Sequence, residues 1–236
     1  MKQLKVCWIS GGVSSVVAGL LSKDVDMYIY IHIDDQHPDT LRFIKDCEKL
    51  LGKEVIILHP EYSSIIDVIK KYRFVNSRYG AKCTQILKKA TRHKWEQEHA
   101  DYDITYVWGY DNTETRRATQ LQEAHPEFKH EFPLIEKDIT KAQAHGILEN
   151  AGVKRPIMYD MGYHNNNCVG CVKGGMGYWN KIRVDFPDVF DRMAKLEREI
   201  GYTCIKGVFL DELDPERGRH EKEIVPDCTG FCGIDN

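Results

Sequence analysis

The sequence predicts an α/β protein with a doubly wound, mainly parallel sheet and a cysteine-containing helical and loop attachment at its C-terminal end. Two observations predict this fold. Short apolar runs alternate with helical patterns through the first half of the 236-residue chain, as in β-α-β units. Near residue 165 this alternating pattern ends, and three asparagines are followed by a Cys-x-x-Cys motif and a glycine-rich stretch.

The first apolar run leads directly into a glycine turn and then a helical segment. We predict a strand over residues 4–9 and a helix over residues 15–22, joined by the sequence Ser-Gly-Gly-Val-Ser-Ser. Such a turn leaves backbone N–H groups unpaired at a helix start, and its glycines let a phosphate approach them. The spacing matches neither the dinucleotide fingerprint nor the Walker loop. The residues predicted to form this phosphate loop are Ser10, Gly11, Gly12, Val13, Ser14 and Ser15.

The same alternation continues along the chain and gives the sheet a Rossmann-like character. Further strands are predicted over residues 27–33, 54–58, 104–108 and 131–134. Further helices are predicted over residues 38–51, 63–72, 84–98, 113–123, 178–183 and 187–200. We expect a nucleotide-binding α/β domain over residues 1–164, with residues 165–236 packed on it.

Two adjacent carboxylates follow the second predicted strand. Asp34 and Asp35 come directly after it, and His37 lies close behind. Parallel sheets bind ligands at the carboxyl ends of their strands, where paired carboxylates can hold hydrated magnesium or a ribose. Aspartate is also common in turns and at helix caps, so local chemistry leaves both interpretations open.

Composition narrows the class of protein. With 42% hydrophobic residues the chain can bury one substantial core. The net charge of −3 gives no global attraction to nucleic acid or to an anionic membrane. The sequence shows neither a membrane-spanning stretch nor a signal peptide, so we expect a cytoplasmic protein without membrane contact. A basic run over residues 82–94 is interpreted equally as a solvated helix face or a phosphate-contacting face.

Eight cysteines in a reducing compartment indicate metal or redox chemistry rather than disulfides. Cys168 and Cys171 form a Cys-x-x-Cys motif, which suits a metal site, a redox dithiol or a structural pair. Together with Cys83 and one cysteine of the C-terminal tail they supply four soft ligands, enough for a [4Fe–4S] cluster or for zinc. Three other cysteines are predicted to be core residues: Cys7, Cys47 and Cys204.

Taken together, the motifs resemble the PP-loop superfamily and, within it, the phosphoadenosine phosphosulfate (PAPS) reductase-like family. The phosphate loop resembles Ser-Gly-Gly-x-Asp-Ser, with Ser14 where that pattern has aspartate. Residues 37–40 resemble the end of the family's second-strand motif, and Cys83 opens a similar basic helix. Gly109 begins a segment similar to Gly-x-Arg-x-x-Glu-Ser-x-x-Arg. These segments occur in the family's order, and the likeness covers residues 4–200.

This resemblance implies an enzyme that binds an adenine nucleotide (ATP, PAPS or adenylylsulfate, APS) and carries out sulfur chemistry. The reaction is either sulfonucleotide reduction through a cysteine thiolate or ATP-dependent adenylation for sulfur transfer. A thiol reductant or sulfur donor would be a partner. The resemblance does not decide whether the sulfur acceptor is a nucleic acid or whether the protein forms a homo-oligomer. In ATP-cleaving members the aspartate that Ser14 replaces helps to hold magnesium.

The resemblance also assigns residues. The nucleotide contacts would be the phosphate loop together with Asp34, Asp35, His37 and Gly109. The implied ligands of the [4Fe–4S] cluster, or alternatively of zinc, are Cys83, Cys168, Cys171 and either Cys228 or Cys232. Whichever of the two tail cysteines does not bind metal would be the catalytic nucleophile. The alternatives are a non-catalytic adenine-nucleotide or redox-sensing protein, and a zinc-stabilised nucleotide-binding protein.

Overall fold

The computed structural model describes residues 2–77 and 80–219 of the chain. Its strands are β1 (Lys2–Ile9), β2 (Met27–Ile31), β3 (Val55–Leu58), β4 (Asn76–Ser77), β5 (Gly80–Ala81), β6 (Tyr102–Val107) and β7 (Lys129–Glu131). Five of them form one sheet in the order β3-β2-β1-β6-β7, and every neighbouring pair is parallel. The remaining two, β4 and β5, form a separate antiparallel pair. The predicted parallel α/β sheet is therefore confirmed.

The helices alternate with the strands through the sheet and then follow one another toward residue 219. They are α1 (Val13–Leu21), α2 (Asp39–Leu51), α3 (Ile65–Tyr72), α4 (Ala90–Glu98), α5 (Thr115–Ala124), α6 (Pro133–Glu136), α7 (Lys141–Asn150), α8 (Ile157–Asp160), α9 (Met176–Asp185) and α10 (Pro187–Ile200). A π-helix precedes α4, and short 3-10 helices precede α5 and follow α10; their bounds are Thr84–Lys89, Asn112–Glu114 and Leu210–Glu212.

Both faces of the sheet are buried, as a doubly wound architecture requires. On β1, Leu4 and Val6 point to one face, where they join an apolar cluster with Trp95 of α4 and Leu121 of α5. The alternate residues of β1 point to the other face and pack with side chains of α1, α2 and α7. Since side chains alternate along a strand, the near-continuous apolar runs of the sequence are explained by burial on two sides.

A third apolar cluster contains no residue of the five-stranded sheet. It joins Ile65 and Val68 of α3 to Trp179 of α9, Phe190 of α10 and the buried Cys168. The cluster contains residues from both sides of position 164, so the attachment shares a core with the nucleotide-binding part. This arrangement places the Cys-x-x-Cys segment against the end of the sheet that carries the phosphate loop.

Two sequence-based expectations differ from the structure. The strand expected over residues 131–134 is wrong, because β7 ends at Glu131 and Pro133 starts the short helix α6. Proline suits a first helical position, where its missing N–H costs no hydrogen bond. Helix α7 was not expected, although Thr140 and Gln143 form a capping box at its start. Within the described residues, no helix is both long and apolar enough to cross a membrane.

Candidate functional site

The phosphate loop lies where the winding of the sheet reverses direction, between the ends of β1 and β6. In doubly wound folds this switch point is the usual ligand crevice. Helix α1 begins at Val13, so its first turn includes the last three residues of the loop, and this turn carries no acidic side chain. Its N-cap is Gly12, which has no side chain to accept from the first N–H groups. The positive end of the helix dipole is thus free of a neighbouring carboxylate within its own first turn.

The loop is braced by its own serines. The Ser15 hydroxyl accepts a hydrogen bond from the Ser10 backbone N–H at 3.0 Å and donates to the Gly12 carbonyl at 2.9 Å. The Ser10 hydroxyl accepts from the Gly12 N–H at 3.3 Å. These bonds fix the course of the backbone before any ligand arrives.

Gly11 meets two separate requirements for glycine. Its φ is +86°, in the left-handed region that other residues rarely adopt. A Cβ atom at this position would also lie 3.0 Å from Cγ2 of Thr40 and 3.4 Å from Nε2 of Gln36. The Gln36 side chain is held in turn, because its Oε1 accepts from the Tyr30 hydroxyl at 2.5 Å. The loop therefore packs tightly against the start of α2.

Gly109 packs closely against the backbone of the phosphate loop. It follows β6, and a Cβ atom built on it would lie 2.5 Å from both Cα and N of Ser15 and 2.7 Å from the carbonyl carbon of Ser14. All three are backbone atoms, so the contact has no flexible side chain that can yield. The structure places Gly109 directly against the predicted phosphate loop.

Basic side chains gather beside the start of α1. The Val13 N–H donates to the hydroxyl of Tyr159 at 3.4 Å, and the ring of Tyr159 contacts His145 edge-on at 4.6 Å. Lys141 Nζ lies 5.9 Å from the centre of the same ring. Burial, followed by the positive charges of Arg155 and Lys141, lowers the pKa of His145 to about 4. His145 is thus neutral near pH 7, while the neighbouring positive charges of Arg155 and Lys141 would attract an anion.

The paired carboxylates at the end of β2 have different surroundings. The side chain of Asp34 is 60% exposed, and one of its oxygens lies 3.6 Å from Nε2 of His32. Asp35 instead accepts a hydrogen bond from the Ile65 N–H at 2.5 Å, at the start of α3. Burial raises the pKa of Asp35, although this bond opposes the shift. Asp35 therefore has a capping role, while Asp34 remains open to a ligand.

His37 and the residues after it tie α2 to the segment before α8. Nδ1 of His37 accepts from the Asp39 N–H at 3.1 Å. The Asp39 carboxylate binds Arg42 through two hydrogen bonds of 2.9 and 2.8 Å, and these bonds lower the pKa of Asp39. The same carboxylate accepts from the Ile157 N–H at 2.8 Å. This part of the predicted motif thus positions the chain around the loop.

Three of the predicted metal ligands line one cavity. Cys83, at the start of the π-helix, shares a space of about 20 Å³ with Cys168 and Cys171, and Lys88 and Lys173 also line it. We call this space the cysteine cavity. Among residues 2–77 and 80–219, no group of three His, Cys, Asp or Glu side chains is arranged to hold a metal ion. Two further predicted residues, Cys228 and Cys232, lie outside the described residues.

Cys204 lies close to the same thiols. Burial, then interaction with Glu197, raises the pKa of Cys204 well above its ordinary value, and the charges of Cys171 and Cys83 add to this shift. The prediction of Cys204 as a buried residue is confirmed. Its proximity to Cys83 and Cys171 could not be recognised from spacing, because 121 and 33 positions separate it from them along the chain.

The basic run divides into a buried and an exposed part. Lys88, Lys89 and Arg92 are buried, and Nε of Arg92 lies 3.0 Å from the carboxylate of Glu96, whereas His93 and Lys94 are exposed. Of the two interpretations left open by the sequence, a solvated helix face therefore does not apply to the three buried residues. Their burial places Lys88 at the wall of the cysteine cavity instead.

The loop and the cysteine segment are joined by hydrogen bonds that the sequence did not reveal. Asn166 donates from Nδ2 to the Gly11 carbonyl at 2.8 Å and to the Thr40 hydroxyl at 3.0 Å. The Val169 N–H donates to the Asp35 carbonyl at 2.7 Å. The only sequence signal was a run of three asparagines before the Cys-x-x-Cys motif, and such residues are equally typical of exposed turns.

Comparisons with known proteins find similar chains, among them the two that follow. The uncharacterized protein MJ0066 of Methanocaldococcus jannaschii is 26% identical over 204 residues, which cover 80% of this chain and 40% of that protein. This chain thus spans less than half the length of its curated relative. Phosphoadenylyl-sulfate (PAPS) reductase from Candida auris, solved as a phosphate complex, has a TM-score of 0.46 and 14% identity, over 67% of this chain and 78% of that one. No protein-family model matches the chain.

Proposed function

We propose that this chain is a PAPS reductase-like enzyme that binds an adenine nucleotide at the phosphate loop and performs sulfur chemistry with cysteine thiolates. One observation carries the proposal. The phosphate loop and the cysteine cavity are adjacent, because Asn166 bonds the carbonyl of Gly11 while Cys168, two residues later, lines the cavity. A metal centre held by these thiols would therefore lie beside a nucleotide bound at the loop.

The phosphate-binding half of the proposal rests on backbone donors and nearby cations. The N–H groups of the first turn of α1 have no partners within the helix, and no acidic residue of that turn competes for them. Lys141 lies beside Tyr159, whose hydroxyl touches the Val13 N–H. A bound phosphate would receive the dipole of α1 and the charge of a neighbouring ammonium group.

The thiol half rests on the contents of the cysteine cavity. Three thiols share it with side-chain atoms of Lys88 and Lys173. Their sulfur atoms are the type of donor that a soft metal centre prefers. Cys204 lies near these thiols and is a further candidate for the fourth ligand, in addition to the two tail cysteines. We propose that the centre is a [4Fe–4S] cluster, with zinc as the alternative. Such a centre would hold its cysteines as thiolates and would fix the position of the cysteine segment next to the proposed nucleotide site.

For a sulfonucleotide, the proposed reaction begins with attack of a thiolate on the sulfur of PAPS or APS. An S–S bond forms to the cysteine, the bond between sulfur and the phosphate oxygen breaks, and the nucleotide leaves. A thiol reductant then attacks the cysteine sulfur, releases sulfite and forms a disulfide, which balances the two electrons. The nucleophile is Cys228 or Cys232, whichever does not bind the metal centre.

ATP-dependent adenylation is a second candidate, favoured by the exposure of Asp34. Ser14 stands where ATP-cleaving relatives have an aspartate, so the loop itself lacks a carboxylate for magnesium. Asp34 offers one at the neighbouring strand end, where its side chain faces solvent. This candidate predicts magnesium-dependent release of pyrophosphate from ATP in the presence of a sulfur acceptor; its absence with every acceptor tried would reject it.

Titration calorimetry with ATP, APS and PAPS tests nucleotide binding. Ser15→Ala removes the hydroxyl that accepts from Ser10 and donates to Gly12. We expect the dissociation constant to rise about tenfold, because each lost hydrogen bond is worth about 1 kcal/mol. Ser22→Ala is the matched control, since Ser22 lies at the opposite end of α1 and bonds Glu131. If the wild-type protein binds none of the three nucleotides, the proposed function is wrong.

Mass spectrometry and metal analysis test the sulfur chemistry. After mixing with PAPS or APS, a sulfonate-sized adduct is expected on a peptide that contains Cys228 or Cys232. Protein purified without oxygen is expected to contain iron and acid-labile sulfide in equal amounts. Zinc without iron would move Cys168 and Cys171 to a structural role, and an absent adduct would reject sulfonucleotide reduction.

A further inference from the structure

Asn166 is buried between the phosphate loop and the start of α2. Only 3% of its surface is exposed, and its Nδ2 donates to the Gly11 carbonyl and the Thr40 hydroxyl. A carbonyl oxygen can only accept, so the contact with Gly11 fixes which end of the amide faces the loop. Within the described part of the chain, Oδ1 of Asn166 is buried and has no hydrogen-bond partner.

The bond to Gly11 controls the direction of a peptide group in the loop. The C=O of Gly11 and the N–H of Gly12 belong to one planar trans peptide, so they point in opposite directions. Holding the carbonyl toward Asn166 directs the Gly12 N–H to the other side, where it reaches the Ser10 hydroxyl. Asn166 thereby sets the orientation of the loop at the peptide preceding α1.

A second anchor lies three residues further along the chain. The Val169 N–H donates to the Asp35 carbonyl, and the Asp35 carboxylate accepts from the Ile65 N–H. Ile65 is itself a wall of the cysteine cavity, beside Cys168. Residues 166–169 are therefore fixed at both ends to the elements that form the nucleotide crevice. Cys168 lies between the two anchors.

We propose that Asn166 is a positioning residue that couples nucleotide binding at the phosphate loop to the opening of the segment carrying Cys168 and Cys171. A nucleotide that requires the observed loop geometry favours the state in which Asn166 is bonded to Gly11. That state keeps the cysteine segment closed, and by reciprocity closure favours the nucleotide. The proposal rests on nucleotide binding at this loop, as argued under the proposed function.

Amide hydrogen exchange measures the coupling. Cys168 and Cys171 lie in a buried segment, whose backbone N–H groups exchange with solvent through local opening whether or not the cysteines hold a metal centre. Mass spectrometry of peptides that cover residues 166–172 would follow the exchange with and without saturating PAPS or ATP. In the wild-type protein we expect the nucleotide to slow this exchange at least about fivefold, the lower range of measured couplings between sites. In Asn166→Ala we expect no protection, even at nucleotide concentrations that calorimetry shows to be saturating.

Asn180 provides a matched control. Like Asn166 it is a buried asparagine whose Nδ2 donates twice, to the carbonyls of Asp214 and Arg217, and its Oδ1 is buried without a partner among the described residues. Its bonds lie away from the loop, so Asn180→Ala should keep the protection of the wild-type protein. Thr40→Val is a milder second variant, because it removes one acceptor of Asn166 and should reduce the protection without abolishing it.

The outcomes separate this proposal from the proposed function. If neither nucleotide binds the wild-type protein, both fail. If a nucleotide binds but does not slow hydrogen exchange of residues 166–172, nucleotide binding stands and the coupling is wrong. Protection that persists in Asn166→Ala, or is lost equally in Asn180→Ala, would likewise overturn it. Should Asn166→Ala not fold, unchanged protection in Thr40→Val would overturn the coupling.

Discussion

Replacing Gly109 with alanine tests whether the conformation of the phosphate loop depends on the close contact between Gly109 and the backbone of Ser15. The new Cβ would lie 2.5 Å from the backbone of Ser15, about 0.9 Å short of the 3.4 Å at which ordinary van der Waals contact begins. Backbone atoms can relieve this overlap only if the start of α1 and the strand end move apart. Overpacking of this kind costs about 1–3 kcal/mol of folding free energy. A displacement of about 1 Å would also misplace the backbone N–H groups proposed to bind phosphate.

Urea unfolding and calorimetry with ATP, APS and PAPS would measure the two effects of Gly109→Ala. We expect a lower free energy of unfolding and about a tenfold weaker nucleotide affinity, since losing one hydrogen bond to a charged phosphate costs about 1.5 kcal/mol. Gly146→Ala is the control, because its Cβ would meet nothing within 4 Å in helix α7 and alanine should stabilise the helix by about 0.5–1 kcal/mol. Wild-type affinity and stability in Gly109→Ala would refute the argument that this contact shapes the loop.

Three further substitutions probe the site and its surroundings. Ser14→Asp should make ATP binding depend on magnesium, and a binding isotherm that ignores magnesium would show that residue 14 does not reach the metal. Glu197→Gln should lower the free energy of unfolding by about 1–3 kcal/mol, because an amide cannot accept from both the Cys204 and Leu210 N–H groups; an unchanged urea midpoint would contradict this. Since the folded protein holds the pKa of His145 near 4 against 6.5 in an unfolded chain, unfolding takes up a proton between these values. Stability should therefore fall on acidification from pH 7.5 to pH 5, by about 1 kcal/mol more than in His145→Gln after allowance for solvent screening; equal losses would contradict the assignment.

The conformation of the phosphate loop was predictable because its signals are local, whereas its binding of phosphate stays a prediction. A strand, two glycines and a helix follow one another within residues 4–22, and the positive φ of Gly11 agrees with the demand for glycine. The parallel sheet followed from the repeated alternation of apolar runs and helical patterns. Burial on both faces explains why those runs lack the polar alternation of an exposed strand.

Other features required the folded chain. The sequence showed Lys88 and Arg92 as part of a basic run, but tertiary packing buries both. Asn166 gave no signal of its own, because its importance depends on a carbonyl more than 150 positions away. The residues around 131–134 were misassigned because a strand end and a helix start stand side by side there, and Pro133 is compatible with the edge of either.

The hydrogen bond between Asn166 and Gly11 joins residues 155 positions apart. During translation the phosphate loop is thus made long before the residue that orients it. At about 5–20 residues per second, the delay is about 8–30 s. Throughout that interval the carbonyl of Gly11 has only solvent or temporary neighbours in place of Asn166. A ribosome-bound chain would therefore acquire the finished conformation of the phosphate loop late, only after the segment that leads into the Cys-x-x-Cys motif has emerged.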